Sequence, residues 1–364
     1  MPIPIARPTF DTAEEKAAQD VIRSGWILQG PQVADFEREF AAYVGAKEAV
    51  AVSSGTAALH LTLLAAGIGA GDSVICPSYS FIATANAIRH CGAEAVFIDI
   101  DPSTYNLDPK LLEPALRPDT KAVMAVHQVG FPAELDEIKA FCDKHGLLLI
   151  EDAACALGSR YKGEPIGRPH GLAACFSFHP RKIITTGDGG MVTTSSSELA
   201  RRIRALRQHG ILSAEEGYLE VGYNFRMTDL QAAVGRQQLK KLPDLLERRR
   251  LQAVRYIEAF LPWGLKPQLE SPGVFSNYQS FQLRFPSGGT VSQQQVLRHL
   301  NSKGIAAQPG ILPIHWQKFY ASVKEYHLPQ TDTARREVVM LPIYHSLSDD
   351  EQQFVIDSVL ELVL

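Results

Sequence analysis

Cysteine is scarce in this chain and shows no pairing pattern. The 364 residues include only five cysteines, which is an odd number, and they are widely spaced with no Cys-X-X-Cys pair. A disulfide framework is therefore not expected. The chain also lacks a His-Glu-X-X-His segment or a similar spacing that would preorganise a zinc site. We therefore expect neither structural disulfides nor a metal centre.

Long apolar runs and a surplus of one charge are missing as well. No stretch approaches the roughly 20 apolar residues that a membrane helix needs, and the segment MPIPIARPTFDTAEE at the start carries no secretory or lipidation signal. The formal net charge is −4 at pH 7, with no basic surplus and no acidic tail. We expect a cytoplasmic protein with no membrane or nucleic-acid partner.

A regular alternation of short apolar segments and amphipathic segments fills the first two thirds of the chain. This alternation predicts a parallel sheet covered by helices on both faces. Strands are expected over 48–53, 73–76, 94–98, 121–126, 147–151 and 191–195, and helices over 56–66, 80–90, 133–144 and 197–210.

The two ends of the chain add further elements. Thr12 and Glu15 have the spacing of a capping box, which predicts a helix that begins there. A helical region over 227–261 should connect two lobes and be interrupted or kinked at Pro243. We expect a large domain over 1–240 and a smaller α+β domain over 241–364.

The first candidate site is the turn Ser54-Gly55-Thr56, which lies between a predicted strand and a predicted helix. Unpaired N–H groups and the positive end of the helix dipole make such a turn a phosphate site. The alternative is that Ser54 or Thr56 only caps the helix. The glycine cluster GIGAGD at 67–72 lacks the spacing and the context of a dinucleotide fingerprint, so we interpret it as a helix-ending turn.

Three further residues could complete a site for pyridoxal phosphate. Asp152 ends an apolar strand, where a carboxylate could pair with a protonated pyridine nitrogen, or could instead cap a helix or pair with an arginine. Phe81 could stack on the ring, or belong to the core. Lys182 lies in FSFHPRKIITTGDGG, beside Arg181, and the pattern alone leaves open which of the two cations faces the interior.

Five segments in this order resemble one known family: SSGTAAL, PSYSFIATANAI, EDAACALGS, SFHPRKIITTGDGG and GYNFRM. Together with GWILQGPQVADFEREFAAYVG and LPIYHSLSDDEQ, they look like the DegT/DnrJ/EryC1/StrS family of sugar aminotransferases. The resemblance spans nearly the whole chain. It implies the α/β fold of fold-type I pyridoxal phosphate enzymes, with a mostly parallel seven-stranded sheet between helices in the large lobe and a smaller α+β C-terminal lobe.

The resemblance also implies roles for individual residues. Lys182 matches the lysine that forms an imine with the cofactor, Asp152 the acid on the pyridine nitrogen, and Phe81 the stacking aromatic. Matches to phosphate-binding positions are Gly55, Thr56, Ala57 and Ser177. Asn224 matches an asparagine that reaches the phosphate of the neighbouring subunit, which implies a homodimer with shared active sites.

Cys155 departs from the family pattern. Many relatives carry glutamine or histidine at this position, which often contacts the 3′-oxygen of the cofactor, and a thiol is a weaker hydrogen-bond donor. Some relatives are dehydratases with histidine in place of the lysine, so Lys182 favours transamination.

The implied reaction moves an amino group from glutamate, through pyridoxamine 5′-phosphate, to a nucleoside-diphosphate-linked 4-keto-6-deoxy sugar. Reaction at a 3-keto position is one alternative, and a non-catalytic regulator that binds pyridoxal 5′-phosphate is another. His315, Tyr344 and His345 are candidates for a sugar-facing wall, or for packing and surface positions.

Overall fold

Residues 2–363 are described by the computed structural model of the protein, and within them helices and strands alternate between residues 48 and 152. The α-helices are α1 (Thr12–Ser24), α2 (Pro31–Val44), α3 (Gly55–Ala65), α4 (Ala83–His90), α5 (Leu112–Ala115), α6 (Leu135–His145), α7 (Ser197–Leu206), α8 (Asp229–Phe260), α9 (Gln293–Ser302), α10 (Lys318–Ala321), α11 (Pro329–Glu337) and α12 (Asp349–Leu360).

The strands form three sheets, and most of them are five residues long or shorter. They are β1 (Glu48–Val52), β2 (Ser73–Pro77), β3 (Glu94–Ile98), β4 (Thr120–Val126), β5 (Leu148–Asp152), β6 (Arg160–Tyr161), β7 (Glu164–Pro165), β8 (Ala173–Ser177), β9 (Gly190–Thr194), β10 (Lys266–Pro267), β11 (Val274–Phe275), β12 (Phe281–Arg284), β13 (Gln308–Pro309) and β14 (Val338–Leu341).

The largest sheet confirms the predicted seven-stranded, mostly parallel architecture. Its strand order is β1-β9-β8-β5-β4-β2-β3, and only β9 runs antiparallel to its neighbours. Six of these strands fall where the sequence places them. The seventh, β8, was not predicted as a strand, because its short run of small residues, AACFS, gives no alternating pattern.

Apolar layers cover both faces of this sheet. On β5 the neighbouring residues Leu149 and Ile150 belong to separate buried clusters, because successive side chains of a strand point to opposite faces. One cluster includes residues of α2, α6 and α8, and the other includes residues of α3, α4 and α7. Burial on both faces leaves the carboxyl ends of the strands as the place where polar groups collect.

Helix α8 runs without interruption through Pro243, so of the two expected effects, an interruption or a kink, the interruption is not present. Proline removes one backbone hydrogen bond. Buried side chains on both sides of it, including Leu239 and Leu245, hold the helix against the large lobe. At Gly235 an added Cβ would lie 2.8 Å from the ring of Phe36, so glycine permits the close packing of α2 on α8. The predicted domain boundary between residues 240 and 241 falls inside α8.

The first helix begins one residue from the predicted capping box. Asp11, not Thr12, is the N-cap: its Oδ1 accepts the N–H of Ala13 at 2.8 Å, and Glu14 Oε2 accepts the N–H of Asp11 at 2.9 Å. Asp and Thr are both good N-cap residues, and the acidic pair Glu14 and Glu15 lets either register be drawn from the sequence.

The C-terminal part has its own antiparallel sheet, with the order β10-β12-β14-β13. A third apolar cluster joins this sheet to α9, α12 and the last turns of α8. The start of the chain reaches the same region, since Ile3 N donates to Gly304 O at 2.9 Å. Among the helices of residues 2–363, none has the combination of length and apolar character needed to cross a bilayer.

Candidate active site

A cavity of about 550 Å³, here called the main cavity, lies at the carboxyl ends of the parallel strands. Three strands end at its wall, β4 at Val126, β5 at Asp152 and β8 at Ser177, and α3 begins there. Residues from the C-terminal sheet close the opposite side. This is the position at which ligands bind in open α/β sheets.

The N-terminus of α3 forms an anion cradle at one end of the main cavity. Ser54 is the N-cap, and its Oγ accepts the N–H of Ala57 at 3.1 Å. Helix geometry leaves the N–H groups of Gly55 and Thr56 without an intrahelical acceptor. A Cβ at Gly55 would lie 2.7 Å from Ser177 Cβ, so glycine allows α3 to sit directly against β8. Ser54 therefore caps the helix, and the cradle remains free for an anion.

Asp152 is buried and faces this cavity. Its Oδ2 accepts a hydrogen bond from Thr84 Oγ1 at 2.8 Å, and its Oδ1 accepts the N–H of Ala154 at 3.2 Å. Burial raises the pKa of the Asp152 carboxyl, and these hydrogen bonds and the charge of Lys182 oppose that shift only in part. The site therefore holds a carboxylate that lacks a full counter-charge.

Glu151, the preceding residue, points to the other face of the sheet. Its Oε2 lies 3.1 Å from Nε2 of His127, and its Oε1 accepts the N–H of His170 at 2.8 Å. His127 Nδ1 accepts the N–H of Ala133 at 3.1 Å, so the proton of the neutral ring lies on Nε2 and is donated to Glu151. Glu151 is thus paired inside the protein, whereas Asp152 is the acid that a ligand can reach.

Lys182 is half-buried, and its side chain lines the main cavity. Its Nζ lies 3.1 Å from Sγ of Cys155, and its N–H donates to His179 O at 2.8 Å. Arg181 is exposed, and it lines the main cavity as well as a second, adjoining one. The structure therefore brings both cations to the site, with the amine beside the cysteine.

A short segment, residues 277–279, holds the backbone on both sides of this lysine; we call it the clamp segment. Gln279 Nε2 donates to Arg181 O at 2.5 Å, and Gln279 Oε1 accepts the N–H of Ile183 at 3.1 Å. Asn277 Nδ2 donates to Cys155 O at 2.8 Å. The clamp segment therefore positions Lys182 and Cys155 relative to each other.

Buried Arg249 of α8 in turn supports the clamp segment. Its Nη1 donates to the carbonyl oxygens of Tyr278 and Gln279, each at 3.3 Å, and to that of Ile343 at 2.9 Å. Burial lowers the pKa of Arg249 to about 10. The backbone contacts of Gln279 and Arg249 were not predicted, because no sequence motif marks a glutamine or an arginine that bonds to backbone.

The main cavity gathers seven of the nine predicted cofactor-site residues: Gly55, Thr56, Phe81, Asp152, Cys155, Ser177 and Lys182. Phe81 is 73% exposed and precedes α4, which begins three residues later than predicted. Thr84 and His127 also line the cavity and were missed. Thr84 follows Phe81 by three residues, so helical spacing could have indicated it.

Two predicted residues lie outside the cavity lining. Ala57 is buried within α3, and its N–H is bonded to Ser54. Asn224 is exposed, and its Oδ1 accepts hydrogen bonds from Arg226. The roles predicted for these two residues in binding the cofactor therefore stay predictions.

The three candidates for a sugar-facing wall also lie elsewhere. His315 Nδ1 is 2.7 Å from Ser78 Oγ, and its Nε2 is 3.2 Å from Asp332. Neither Tyr344 nor His345 lines the main cavity or the adjoining one. The side of the main cavity that faces away from the strand ends includes the apolar side chains of Ile5, Ile311, Met340 and Ile343.

The residues present fit pyridoxal phosphate. The α3 cradle suits the phosphate, the buried Asp152 lacks the cation that a pyridinium would supply, and Lys182 presents an amine to the same space. These groups approach one cavity from separate segments, which is the arrangement that the cofactor needs.

Comparison with known proteins agrees with this class of site. The model of the DegT/DnrJ/EryC1/StrS aminotransferase family matches residues 8–360. The spore coat polysaccharide biosynthesis protein SpsC of Bacillus subtilis (strain 168) is 40% identical over 99% of this chain and 97% of its own length. GDP-perosamine synthase of Caulobacter vibrioides is 38% identical over 97% of this chain and 96% of its own length.

A solved structure shows the same fold throughout. S. venezuelae DesV, in complex with a ketimine intermediate, superposes with a TM-score of 0.93 at 34% identity, over 100% of this chain and 98% of that one. The chain belongs to the DegT/DnrJ/EryC1/StrS aminotransferase family. It is a pyridoxal phosphate-dependent nucleotide-sugar aminotransferase.

Proposed function

We propose that the chain transfers the amino group of glutamate to the 4-keto group of a nucleoside-diphosphate-linked 6-deoxy sugar. The observation that supports this most strongly is the convergence of Lys182, Asp152 and the α3 cradle on one cavity. The relative GDP-perosamine synthase supports a nucleotide-linked sugar as the acceptor. The proposed reaction has two halves, between which the amino group is carried as pyridoxamine 5′-phosphate.

In this proposal the chain's own residues anchor the cofactor at three points. The N–H groups of Gly55 and Thr56 and the hydroxyl of Ser177 hold the phosphate, because they surround the positive end of α3. Asp152 would hold the pyridine nitrogen, while Thr84 and the N–H of Ala154 keep its carboxylate in place. Phe81, which lines the same cavity, would stack on the ring.

Proton transfer is the proposed work of Lys182. When bound, pyridoxal phosphate supplies an electron sink for the charge that develops as the substrate's C–H bond breaks. Lys182 Nζ takes the proton from the α-carbon of glutamate, and in the second half it delivers a proton to the sugar carbon that receives the amine. Cys155 Sγ lies 3.1 Å from Lys182 Nζ and restricts the positions that the amine can adopt.

A second copy of the chain is proposed to complete the site. Asn224 is exposed and lies outside its own main cavity, as a residue that serves a neighbouring subunit would. We therefore propose a homodimer in which Asn224 reaches the partner's phosphate site. The cytoplasmic location expected from the sequence stays a prediction.

The decisive experiment separates the two half-reactions. Holoenzyme mixed with glutamate alone should release one equivalent of oxoglutarate per active site and lose the absorbance of its cofactor–lysine linkage. Release of no oxoglutarate would instead support the non-catalytic regulator.

The amino-loaded enzyme is then offered a panel of nucleotide-linked keto sugars. The position of the amine in the product, determined by NMR, distinguishes the 4-keto proposal from the 3-keto alternative. An amine at C3 would replace the proposed regiochemistry and leave the enzyme class unchanged.

A further inference from the structure

We propose that Arg181 and Arg335 form a subsite for the diphosphate of the sugar nucleotide, in a cavity that adjoins the main one. This inference rests on the proposed function, because it assigns one part of the acceptor to a place beyond the reacting carbon.

The adjoining cavity has a volume of about 430 Å³ and shares six lining residues with the main cavity. They are Ser80, Phe81, Arg181, Gln308, Ile311 and Met340. Arg335, from α11, lines the adjoining cavity but not the main cavity. A ligand whose sugar lies near Lys182 therefore has room to continue past Arg181 towards Arg335.

The charge of these two arginines is not neutralised by the protein. Within residues 2–363, neither guanidinium forms an ion pair with a carboxylate, whereas the part-buried Arg117, Arg236 and Arg250 each do. Arg335 Nη1 donates to the carbonyl oxygen of Gly310, which orients the side chain without offsetting its charge. Burial lowers the pKa of Arg335 below its usual value.

Two unpaired guanidinium groups favour a diphosphate over a single carboxylate. Each is a planar donor that binds phosphate oxygens in pairs, and a diphosphate linker brings two negative charges to two positive ones. Gln308 and Gln317 line the same space and add neutral donors. Glutamate, the proposed amino donor, carries two separate carboxylates and no adjacent pair of phosphate groups.

Inorganic pyrophosphate is the probe, titrated calorimetrically into the holoenzyme so that the cofactor occupies the α3 cradle. Arg181→Gln and Arg335→Gln should each weaken pyrophosphate binding roughly tenfold, the effect of one charge-assisted hydrogen-bonding group. Binding to the wild type should also weaken as ionic strength rises. Arg335→Lys keeps the charge, and it should recover part of the affinity.

Arg336 provides the matched control. It is the next residue on α11, and its guanidinium lies 5.6 Å from the ring of Trp316, outside both cavities. Arg336→Gln should bind pyrophosphate as the wild type does. Equal affinity of the wild type, Arg181→Gln and Arg335→Gln would overturn the proposal, and so would a wild type that binds no pyrophosphate at millimolar concentration.

The same variants tested with glutamate separate this inference from the proposed function. If the subsite holds the diphosphate, the KM for glutamate in the first half-reaction stays near the wild-type value. An increase in that KM with unchanged pyrophosphate affinity would assign the arginines to the donor's carboxylate and overturn the diphosphate subsite. Absence of any reaction with glutamate would contradict the proposed function, while the pyrophosphate result would still test the subsite.

Discussion

On the sheet side of the main cavity, Gly55, Asp152, Ser177 and Lys182 stand at strand ends or in the loops that follow them, and the sheet fixes their spacing. The outer side includes Ile5, Ile311, Met340 and Ile343, which come from the start of the chain and from its last quarter, together with the polar Gln308. The sheet side carries Asp152 and Lys182, whereas the outer side is mainly apolar. This difference indicates that cofactor chemistry belongs to one wall and substrate selection to the other.

The contrast has a physical origin. A parallel sheet places its polar residues at one edge, so residues far apart in sequence meet whenever the strands form. The outer side depends on how the C-terminal sheet packs against the large one, through α8 and the clamp segment. Variants on the sheet side should therefore change the chemistry, and variants on the outer side should change only the acceptor's fit.

The largest effect is expected for Lys182→Ala. Without the amine, the cofactor–lysine linkage cannot form, so its absorbance near 420 nm (about the value for a protonated pyridoxal Schiff base) should disappear, and turnover should fall below detection. Arg181→Ala is the neighbouring control, and it should keep the absorbance. A Lys182→Ala protein with an unchanged spectrum would place the linkage at another lysine.

Asp152→Asn should reduce turnover by roughly a hundredfold to a thousandfold, because a neutral amide no longer stabilises a protonated pyridine nitrogen. Cofactor binding should remain measurable, since the phosphate cradle is intact. Single-turnover kinetics with glutamate provide the measurement, and Glu151→Gln on the opposite face of β5 is the control for loss of a buried acid. Wild-type turnover in Asp152→Asn would contradict the proposed ion pair.

The same variant tests the pKa of Asp152. Burial raises the folded-state pKa above the ordinary value of 3.8, so in the cofactor-free protein this acid costs stability as pH rises through that pKa. Apo Asp152→Asn should thus unfold at the same or a higher temperature than apo wild type at neutral pH, and the difference should shrink towards acid pH. A lower melting temperature for the apo variant at neutral pH would show that the carboxylate is stabilising.

Gln279→Ala should lower kcat about tenfold, because the backbone on both sides of Lys182 loses its clamp and a buried N–H loses its acceptor, at a cost of about 1–3 kcal/mol. Gln268→Ala is the matched control, since Gln268 is also buried and donates to a backbone carbonyl, that of Thr104 at 2.7 Å. Both should lose similar stability in thermal unfolding. Equal kcat values for the two variants would reduce Gln279 to a structural role.

The smallest effect is expected on the outer side. Met340→Ala removes apolar contact with the acceptor, so kcat/KM for the keto sugar should fall about tenfold or less, which corresponds to about 1.4 kcal/mol or less and lies at the low end of the cost of a missing apolar group. The half-reaction with glutamate should be unchanged. If the glutamate half-reaction slows instead, the outer wall contributes to the chemistry, and the contrast between the two sides fails.

Local pattern alone carried the prediction of the large lobe. Six strands and the helices between them were predicted within a few residues, because a strand that is buried on both faces consists of a run of apolar residues. Strand β8 was not predicted. The helix α8 is also not interrupted at Pro243, because packing along α8 offsets the hydrogen bond that proline removes. Local pattern does not contain that packing.

By itself, the sequence determined the class of protein, because Gly55, Asp152, Ser177 and Lys182 stand in contiguous motifs that resemble those of one family. Tertiary structure decided the rest. It places Asp152 and Glu151 on opposite faces of the sheet and brings Cys155 Sγ close to Lys182 Nζ. It also positions Gln279 to bond the backbone beside Lys182, and it brings Arg335 to the cavity that Arg181 lines. These relations join segments up to 154 positions apart, as between Arg181 and Arg335, and only the packing of the two sheets brings such segments together.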